Sequence, residues 1–151
     1  MALKNNSNRN IPLKKLYQYL IDEGYRFFTG VPDSLLKPFQ DKLDRGVNFG
    51  RDSNDEHKHI IATNEGQAIG MAVGAELAGT KSCVYLQNSG LGNCINPLTS
   101  LCIPYNVKPL LVIGHRHTLP QHKVMGETDE AMLKLIGYDN YILIKGDNNV
   151  S

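Results

Sequence analysis

The sequence predicts a three-layer α/β/α protein, in which helices cover both faces of a mostly parallel central sheet. Short apolar segments alternate with amphipathic or small-residue segments along the chain, as is typical of consecutive βαβ units. The segment 110–114 is almost entirely apolar, as expected of a central parallel strand. With 151 residues, the chain is long enough for one domain with its own core and too short for two ordinary domains.

Composition and charge exclude several classes of protein. Apolar residues make up 41% of the chain and the formal net charge is +1, which offers no electrostatic attraction to nucleic acid or to an anionic membrane. The polar N-terminus lacks the apolar core of a secretory signal, and no apolar run reaches transmembrane length. The three cysteines form no CxxC pair and are interpreted as small buried residues in a reducing compartment. We expect a cytoplasmic protein.

The hydrophobic pattern predicts one domain over residues 11–146, with a flexible arm at 1–10 and a tail or the start of a linker at 147–151. Helices are predicted at 12–24, 35–43, 65–77, 93–101 and 128–136, and strands at 26–30, 59–63, 82–87, 110–114 and 141–144. The polar segments 44–58 and 115–126 are predicted as loops.

Four segments leave the carboxyl ends of the predicted strands, at 31–34, 63–65, 88–93 and 115–125. The most unusual residues of the sequence gather in these same four segments. In open α/β sheets, ligands bind at the carboxyl ends of the strands. The functional site is therefore expected at this edge of the sheet.

The helix that begins at Glu65 carries an unusual glycine pattern. Gly66, Gly70 and Gly74 are four residues apart and share one helix face, although each mid-helix glycine costs about 1 kcal/mol relative to alanine. Such a stripe indicates that another backbone comes close, either through tight packing on the sheet or at a subunit or domain interface. Glu65 itself, taken alone, is equally well explained as a first-turn acid that the helix dipole favours.

Four motifs together point to a known family. They are NEGQAIGMAVGAELA at 64–78, the turn VPDS at 31–34, QNSGLGN at 87–93 and PQHKVMGE at 120–127. In combination they resemble the pyrimidine-binding domain of thiamine-diphosphate-dependent decarboxylases. The resemblance is closest to phosphonopyruvate decarboxylases and to the alpha subunit of sulfopyruvate decarboxylases, and it runs from about residue 13 to 144.

The resemblance implies a thiamine-diphosphate-binding fold and a role for Glu65. In the family, one glutamate hydrogen-bonds the aminopyrimidine ring of thiamine diphosphate and promotes the imine that removes the thiazolium C2 proton. The implied reaction is decarboxylation of a 2-oxo acid, with 3-phosphonopyruvate, giving phosphonoacetaldehyde and CO₂, as the first substrate and sulfopyruvate as the alternative. The diphosphate and Mg²⁺ are held in the family by a second domain, whose Gly-Asp-Gly motif this sequence lacks. We therefore expect a diphosphate-binding domain or beta subunit as partner in a homo- or hetero-oligomer, and no metal ligand in this chain.

The loop after the third strand is the predicted cofactor-binding segment. Gly90 and Gly92 allow a backbone to approach a flat ring closely, and Asn88, Ser89 and Asn93 offer hydrogen bonds. Without the resemblance, a plain strand-to-helix turn would be preferred. The third glycine of a dinucleotide fingerprint is missing, so a nicotinamide or flavin dinucleotide is not expected.

The resemblance also implies catalytic roles for His122 and Asp33. His122 can shuttle a proton to the carbon that has lost CO₂. Asp33 and Ser34 occupy a turn where relatives place a polar active-site side chain. Helix capping is the alternative explanation for that turn. The three histidines within GHRHTLPQH also raise the possibility of zinc, but their spacing fits no standard structural site.

An anionic tail on the substrate needs positively charged or hydrogen-bonding partners. Arg116, with its forked guanidinium, and the adjacent His115 are the predicted substrate-binding residues together with Ser34. Lys123 and Lys37 are weaker candidates. A rival from another class is a non-catalytic α/β binding or regulatory subunit, which would use the glycine stripe for assembly and have no use for its glutamate.

Overall fold

The computed structural model describes residues 11–49 and 57–146. The predicted arm, the predicted tail and part of the predicted loop 44–58 lie outside these residues. The described chain forms five parallel strands in the order β2-β1-β3-β4-β5, which confirms the predicted fold class. The strands are β1 (Phe27–Gly30), β2 (Lys58–Ile61), β3 (Ser82–Gln87), β4 (Leu110–His115) and β5 (Tyr141–Lys145). The α-helices are α1 (Leu13–Asp22), α2 (Lys37–Phe49), α3 (Glu65–Leu77), α4 (Ile95–Pro97) and α5 (Pro120–Ile136).

The sheet separates two apolar cores, because successive strand side chains point to opposite faces. On one face, α1 and α2 pack against the side chains of Cys83, Tyr85 and Val112. On the other, α3 and α5 pack against Val84 and Leu111 and their neighbours. The strands β3 and β4 are buried over nearly their whole length, so the site at their ends rests on the most rigid part of the molecule. Within the described residues, no helix is long and apolar enough to cross a membrane.

The second helix is longer than predicted. It begins at Lys37 and ends at Phe49, so the prediction of a loop from residue 44 is wrong for its first six residues. A Cβ at Gly46 would collide with the His57 ring and lie 2.8 Å from the Tyr17 hydroxyl. The glycine therefore allows close packing on neighbouring side chains and does not end the helix.

The fifth helix begins eight residues earlier than predicted, at Pro120. Proline suits the first turn of a helix, because its missing N–H would have no intrahelical acceptor there and its φ is already helical. The prediction of a loop over 115–126 is therefore wrong from residue 120 onward. His122 consequently lies in the first turn of α5, where packing fixes its position.

The segment after β3 is not the regular helix that the sequence predicts over 93–101. It consists of a 3₁₀ helix (Asn88–Cys94), the single α-helical turn α4 and a π-helical turn (Leu98–Cys102). Pro97 has no N–H to donate to the preceding turn, which accounts for the change of helical pitch at this point. The remaining helix and strand boundaries agree with the predictions to within two residues.

Candidate functional site

The predicted site residues gather at one edge of the sheet, because all five described strands are parallel. Asp33 follows β1, Glu65 follows β2, Asn88 follows β3 and Arg116 follows β4. Their contacts divide the edge into two regions. The first, which we call the glutamate region, is formed by Glu65 and the 3₁₀ helix, and the second, the histidine–arginine region, is formed by the segment after β4 and its contacts.

Glu65 is the first residue of α3 and is half-buried. The side chain of Asn64 caps the helix by accepting from the Gln67 N–H at 2.9 Å, which fixes where the helix begins. Asn93 donates from Nδ2 to Glu65 Oε2 at 2.8 Å. Among the described residues, no hydrogen bond reaches Oε1. One carboxylate oxygen is therefore held by Asn93, and the other lies against Gly90 without a hydrogen bond among the described residues.

Gly90 makes room for this carboxylate. A Cβ at Gly90 would lie 2.5 Å from Cδ of Glu65 and 2.8 Å from its Cγ, separations that real Cβ atoms do not show. By contrast, a Cβ at Gly92 would meet nothing within 4 Å. Ser89, Gly92 and Asn93 are exposed. The glycine-containing loop therefore presents an open surface beside a carboxylate that Gly90 allows to lie against the backbone.

Asn88, the first residue of the 3₁₀ helix, connects the two regions and is fully buried. Its Nδ2 donates to the Arg116 carbonyl oxygen at 2.7 Å, so it supports the segment that follows β4. Its Oδ1 is buried and has no hydrogen-bond partner among the described residues. The prediction that Asn88 contacts the cofactor remains a prediction, and Oδ1 is the atom that such a contact would use.

Asp33 and Arg116 form a largely buried ion pair. The side chain of Asp33 is 1% exposed, and its Oδ1 accepts from Arg116 Nη2 at 2.8 Å. The same nitrogen donates to Ser34 Oγ at 2.7 Å, while Asp33 Oδ2 accepts from the Leu36 N–H at 3.2 Å. A Cβ at Gly114 would lie 2.6 Å from that oxygen. Asp33 therefore both caps the turn before α2 and offsets the charge of Arg116.

His115 contacts a carboxylate that the sequence prediction missed. Asp129, on α5, is buried, and its Oδ2 lies 2.7 Å from His115 Nδ1. The His115 side chain is 11% exposed, and its ring lies 5.6 Å from the ring of His117. The sequence predicts a helix from residue 128, so Asp129 reads as a first-turn acid. Only the earlier start of α5, marked by Pro120, places it over His115.

His122 is buried and contacts Gln87, at the end of β3. Gln87 Nε2 lies 2.8 Å from His122 Nδ1, so the amide orients the ring. His117 and Lys123 are exposed, and Lys37 forms an exposed ion pair with Asp41. The described residues contain no group of three or more His, Cys, Asp or Glu side chains that could hold a metal ion.

The glycine stripe of α3 faces away from the sheet for most of its length. Gly70 and Gly74 are exposed, and a Cβ at either would meet nothing within 4 Å. Tight packing on the sheet is therefore the wrong explanation for these two glycines. The helix buries other residues instead, namely Ala68, Ile69, Ala72 and Val73. That the stripe contacts another subunit or domain stays a prediction.

A second buried histidine network lies on the α1/α2 side and was also missed. His59 Nδ1 lies 2.7 Å from Asp44 Oδ1, and its Nε2 lies 2.7 Å from the Tyr85 hydroxyl. Burial lowers the pKa of His59, although its bond to Asp44 opposes this effect. Both histidine nitrogens are occupied by protein groups, so this network is structural. The short edge strand, with the sequence KHII, gives no signal for these pairings.

The chain is similar in sequence to known decarboxylases and decarboxylase subunits. No family model matches the chain. It is 38% identical over 106 residues to the sulfopyruvate decarboxylase subunit alpha of Methanococcus maripaludis, covering 70% of this chain and 59% of that protein. It is 33% identical over 130 residues to the subunit of the same name from Methanocaldococcus jannaschii, covering 83% and 72%. The phosphonopyruvate decarboxylase of Streptomyces viridochromogenes is 35% identical over 117 residues, covering 74% of this chain and 28% of that protein.

These matches extend over most of the chain but only part of each relative. The chain spans between about three-fifths and three-quarters of the two alpha subunits and little more than a quarter of the longer phosphonopyruvate decarboxylase. The family that the four motifs resemble is thus confirmed by relatives aligned over 130 and 117 residues. The chain belongs to the family formed by sulfopyruvate decarboxylase alpha subunits and the homologous portion of phosphonopyruvate decarboxylases.

Proposed function

We propose that this chain is the pyrimidine-binding half of a thiamine-diphosphate-dependent decarboxylase that acts on a small 2-oxo acid with a tetrahedral anionic tail. The observation that carries this proposal is the arrangement at Glu65. Its carboxylate lies at the ligand-binding edge of a parallel sheet, with Oε2 held by Asn93 at 2.8 Å and Oε1 left for a ligand.

The residues of the glutamate region fit an aminopyrimidine ring. Glu65 supplies an acceptor for a ring nitrogen that carries a proton, and the exposed Ser89 and Asn93 supply polar groups beside it. The exposed Gly92 adds no side chain to the surface on which a flat ring would lie. When bound, thiamine diphosphate would supply the electron sink for loss of CO₂. This chain's part is to hold the pyrimidine and to exchange protons beside it.

The diphosphate and its Mg²⁺ are assigned to a partner domain or chain. No cluster of metal-binding side chains occurs in residues 11–49 and 57–146, and hard cations require several oxygen ligands. The relatives from Methanococcus and Methanocaldococcus are named as alpha subunits, which implies a second subunit in those proteins. We propose that this chain likewise acts only after assembly with a diphosphate-binding partner.

The two candidate substrates differ in the charge of the tail. The resemblance of the motifs implies 3-phosphonopyruvate as the first substrate. However, the chain spans a larger share of its sulfopyruvate decarboxylase relatives than of its phosphonopyruvate decarboxylase relative. Arg116 is already paired with the buried Asp33, so this part of the site has little net positive charge. A sulfonate carries one negative charge and a phosphonate carries up to two, so the site suits the sulfonate better. We therefore propose sulfopyruvate as the first substrate and 3-phosphonopyruvate as the second.

The decisive experiment compares Glu65→Gln with the wild type after assembly with a candidate beta chain. Calorimetric titration measures thiamine diphosphate binding, and steady-state assays use sulfopyruvate, 3-phosphonopyruvate and pyruvate. We expect the variant to bind the cofactor but to lose about 10²- to 10⁴-fold in kcat, the range for a lost proton-transfer group. Glu23→Gln, at the exposed C-terminal end of α1, is the matched control and should stay within about twofold.

Two results would overturn the proposal. Full activity of Glu65→Gln would remove Glu65 from the chemistry. Absence of cofactor binding by every assembly that contains this chain would favour the rival class, a non-catalytic α/β subunit. The rival predicts that Glu65→Gln changes nothing beyond the stability of α3.

A further inference from the structure

Helix α5 holds the segment after β4 from one side, while the 3₁₀ helix holds it from the other. A Cβ at Gly126 would collide with the Arg116 carbonyl oxygen and would lie 2.9 Å from Cα of His117, so the helix backbone lies directly against this segment. Asn88 donates to the same carbonyl oxygen at 2.7 Å. The position of His115 is therefore fixed by its neighbours on both sides.

Asp129 extends this support to the His115 ring. Its Oδ1 accepts from the Glu130 N–H at 2.7 Å, and its Oδ2 lies 2.7 Å from His115 Nδ1. An ionised carboxylate only accepts hydrogen bonds, so Nδ1 must carry the proton of a neutral His115 ring. The Nε2 atom then has a free lone pair and points away from Asp129. When the ring gains a second proton, on Nε2, the bond to Asp129 is kept and strengthened by charge.

His115 differs in this respect from His122, His117 and His59. His122 contacts the neutral Gln87 amide, and His117 is exposed. His59 also lies beside a carboxylate, but its second nitrogen is bonded to the Tyr85 hydroxyl. Of these four histidines, His115 is therefore the one that combines a carboxylate on one nitrogen with a second nitrogen unbonded by the described residues.

We propose that Asp129 is a positioning residue that fixes His115 in the Nδ1–H form, so that Nε2 carries the proton needed to complete decarboxylation. The inference rests on the proposed function. In this proposal His115, and not His122 as the resemblance implies, has the proton-transfer role: its Nε2 takes a proton from solvent and delivers it to the carbon from which CO₂ has left. The electron pair of the broken C–C bond ends in the new C–H bond. The ring returns to its neutral form, and no redox change or further reactant is needed. The charged and titratable groups around the ring are Asp129 from α5, His117 and Arg116 from its own segment, Asp33 through Arg116, and Lys145, the register partner of His115 on β5.

The first test reads the tautomer directly and does not depend on activity. In ¹⁵N-histidine-labelled full-length chain, nitrogen chemical shifts at a pH where the ring is neutral should show the His115 proton on Nδ1. In Asp129→Asn, Oδ1 continues to accept from the Glu130 N–H, so the new amide NH₂ faces Nδ1 and should move the proton to Nε2. Asp139→Asn is the matched control, because Asp139 forms only an exposed pair with Lys108. A wild-type proton on Nε2, or an unchanged tautomer in Asp129→Asn, would overturn the proposal.

The second test separates positioning from simple support of the fold. In the assembled enzyme, His115→Asn keeps an N–H directed at Asp129 but lacks Nε2. We expect this variant and Asp129→Asn each to lose about 10²-fold or more in kcat, with KM within about threefold, and the double variant to lose no more than the larger single effect. Wild-type kcat in His115→Asn, or additive losses in the double variant, would contradict the proposal.

The two tests also distinguish this inference from the proposed function. If Asp129→Asn does not fold, His115→Asn still decides whether Nε2 is needed. If no assembly decarboxylates any of the three 2-oxo acids, the proposed function fails, while the tautomer measurement still decides whether Asp129 positions His115. If activity is present and the tautomer prediction fails, only the role of Asp129 is lost.

Discussion

The glutamate region and the histidine–arginine region lie at the same edge of the sheet but are built differently. In the first, Glu65 has one hydrogen bond, to the exposed Asn93, and its other oxygen is unbonded among the described residues. In the second, Asp33, Arg116 and His115 are held by short bonds to one another or to the buried Asp129, and Arg116 also donates to the exposed Ser34. The charged groups of the histidine–arginine region are thus paired within the chain, whereas Glu65 Oε1 in the glutamate region has no hydrogen-bond partner among the described residues. The difference is what the proposed active site, shared with a diphosphate-binding partner, would require.

The largest effect is expected when the charge that holds the histidine–arginine region together is removed. Arg116→Ala leaves Asp33 buried and unpaired, so we expect the free energy of unfolding to fall by about 3 kcal/mol. Lys37→Ala is the control, because it removes an exposed pair on the neighbouring helix and should cost less than about 0.5 kcal/mol. Urea unfolding of the isolated chain measures both values. Equal losses in the free energy of unfolding of the two variants would mean that the histidine–arginine region does not depend on its ion pair.

A second variant tests whether the glutamate region depends on the close approach of the Gly90 backbone to the Glu65 carboxylate. Gly90→Ala places a methyl group against the Glu65 carboxylate, so we expect a loss of about 1–3 kcal/mol in stability, as for overpacking, and loss of thiamine diphosphate activation in the assembly. Gly92→Ala, two residues along the same loop and free of steric conflict, should unfold within about 0.5 kcal/mol of the wild type. If both variants have the same free energy of unfolding, Gly90 does not set the position of Glu65.

The smallest effect concerns the exposed glycine face of α3, the helix that begins at Glu65. Gly70→Ala adds a methyl group with no neighbour within 4 Å and removes a flexible residue from a helix, so the isolated chain should become about 0.5–1 kcal/mol more stable. If the glycine stripe contacts the partner, the same variant should weaken the assembly. Analytical ultracentrifugation with the candidate beta chain measures this. Stabilisation with unchanged association would remove the interface explanation for the stripe.

The sequence was informative about the parts of the molecule that are governed by local pattern. The predicted boundaries of Glu65–Leu77 and Ser82–Gln87 are the observed ones, because the hydrophobic pattern of each segment is local. The errors occurred at residues whose role is set by distant packing. Gly46 reads as a helix end but packs against His57 and Tyr17, and Pro120 reads as a bend but begins a helix.

The site was predicted in outline but not in its internal contacts. The ends of parallel strands were enough to place Asp33, Glu65 and Arg116 at one edge of the sheet. The Asp33–Arg116 pair joins residues 83 positions apart, and Asp129 reaches His115 only because α5 begins early. Pairings of this kind depend on the tertiary structure, so a pattern that identifies each residue cannot identify its partner.

The buried cysteines offer a consequence for experiments on this protein. Cys83 lies in the core covered by α1 and α2, whereas Cys94 and Cys102 lie in the core covered by α3 and α5. Burial raises the pKa of all three thiols, that of Cys94 to about 12 and that of Cys102 to about 11, so each is unreactive while its layer is closed. Thiol labelling followed by mass spectrometry therefore provides native reporters for each layer. Labelling rates with and without the partner would show which layer opens less often when the assembly forms, with no mutation or attached probe.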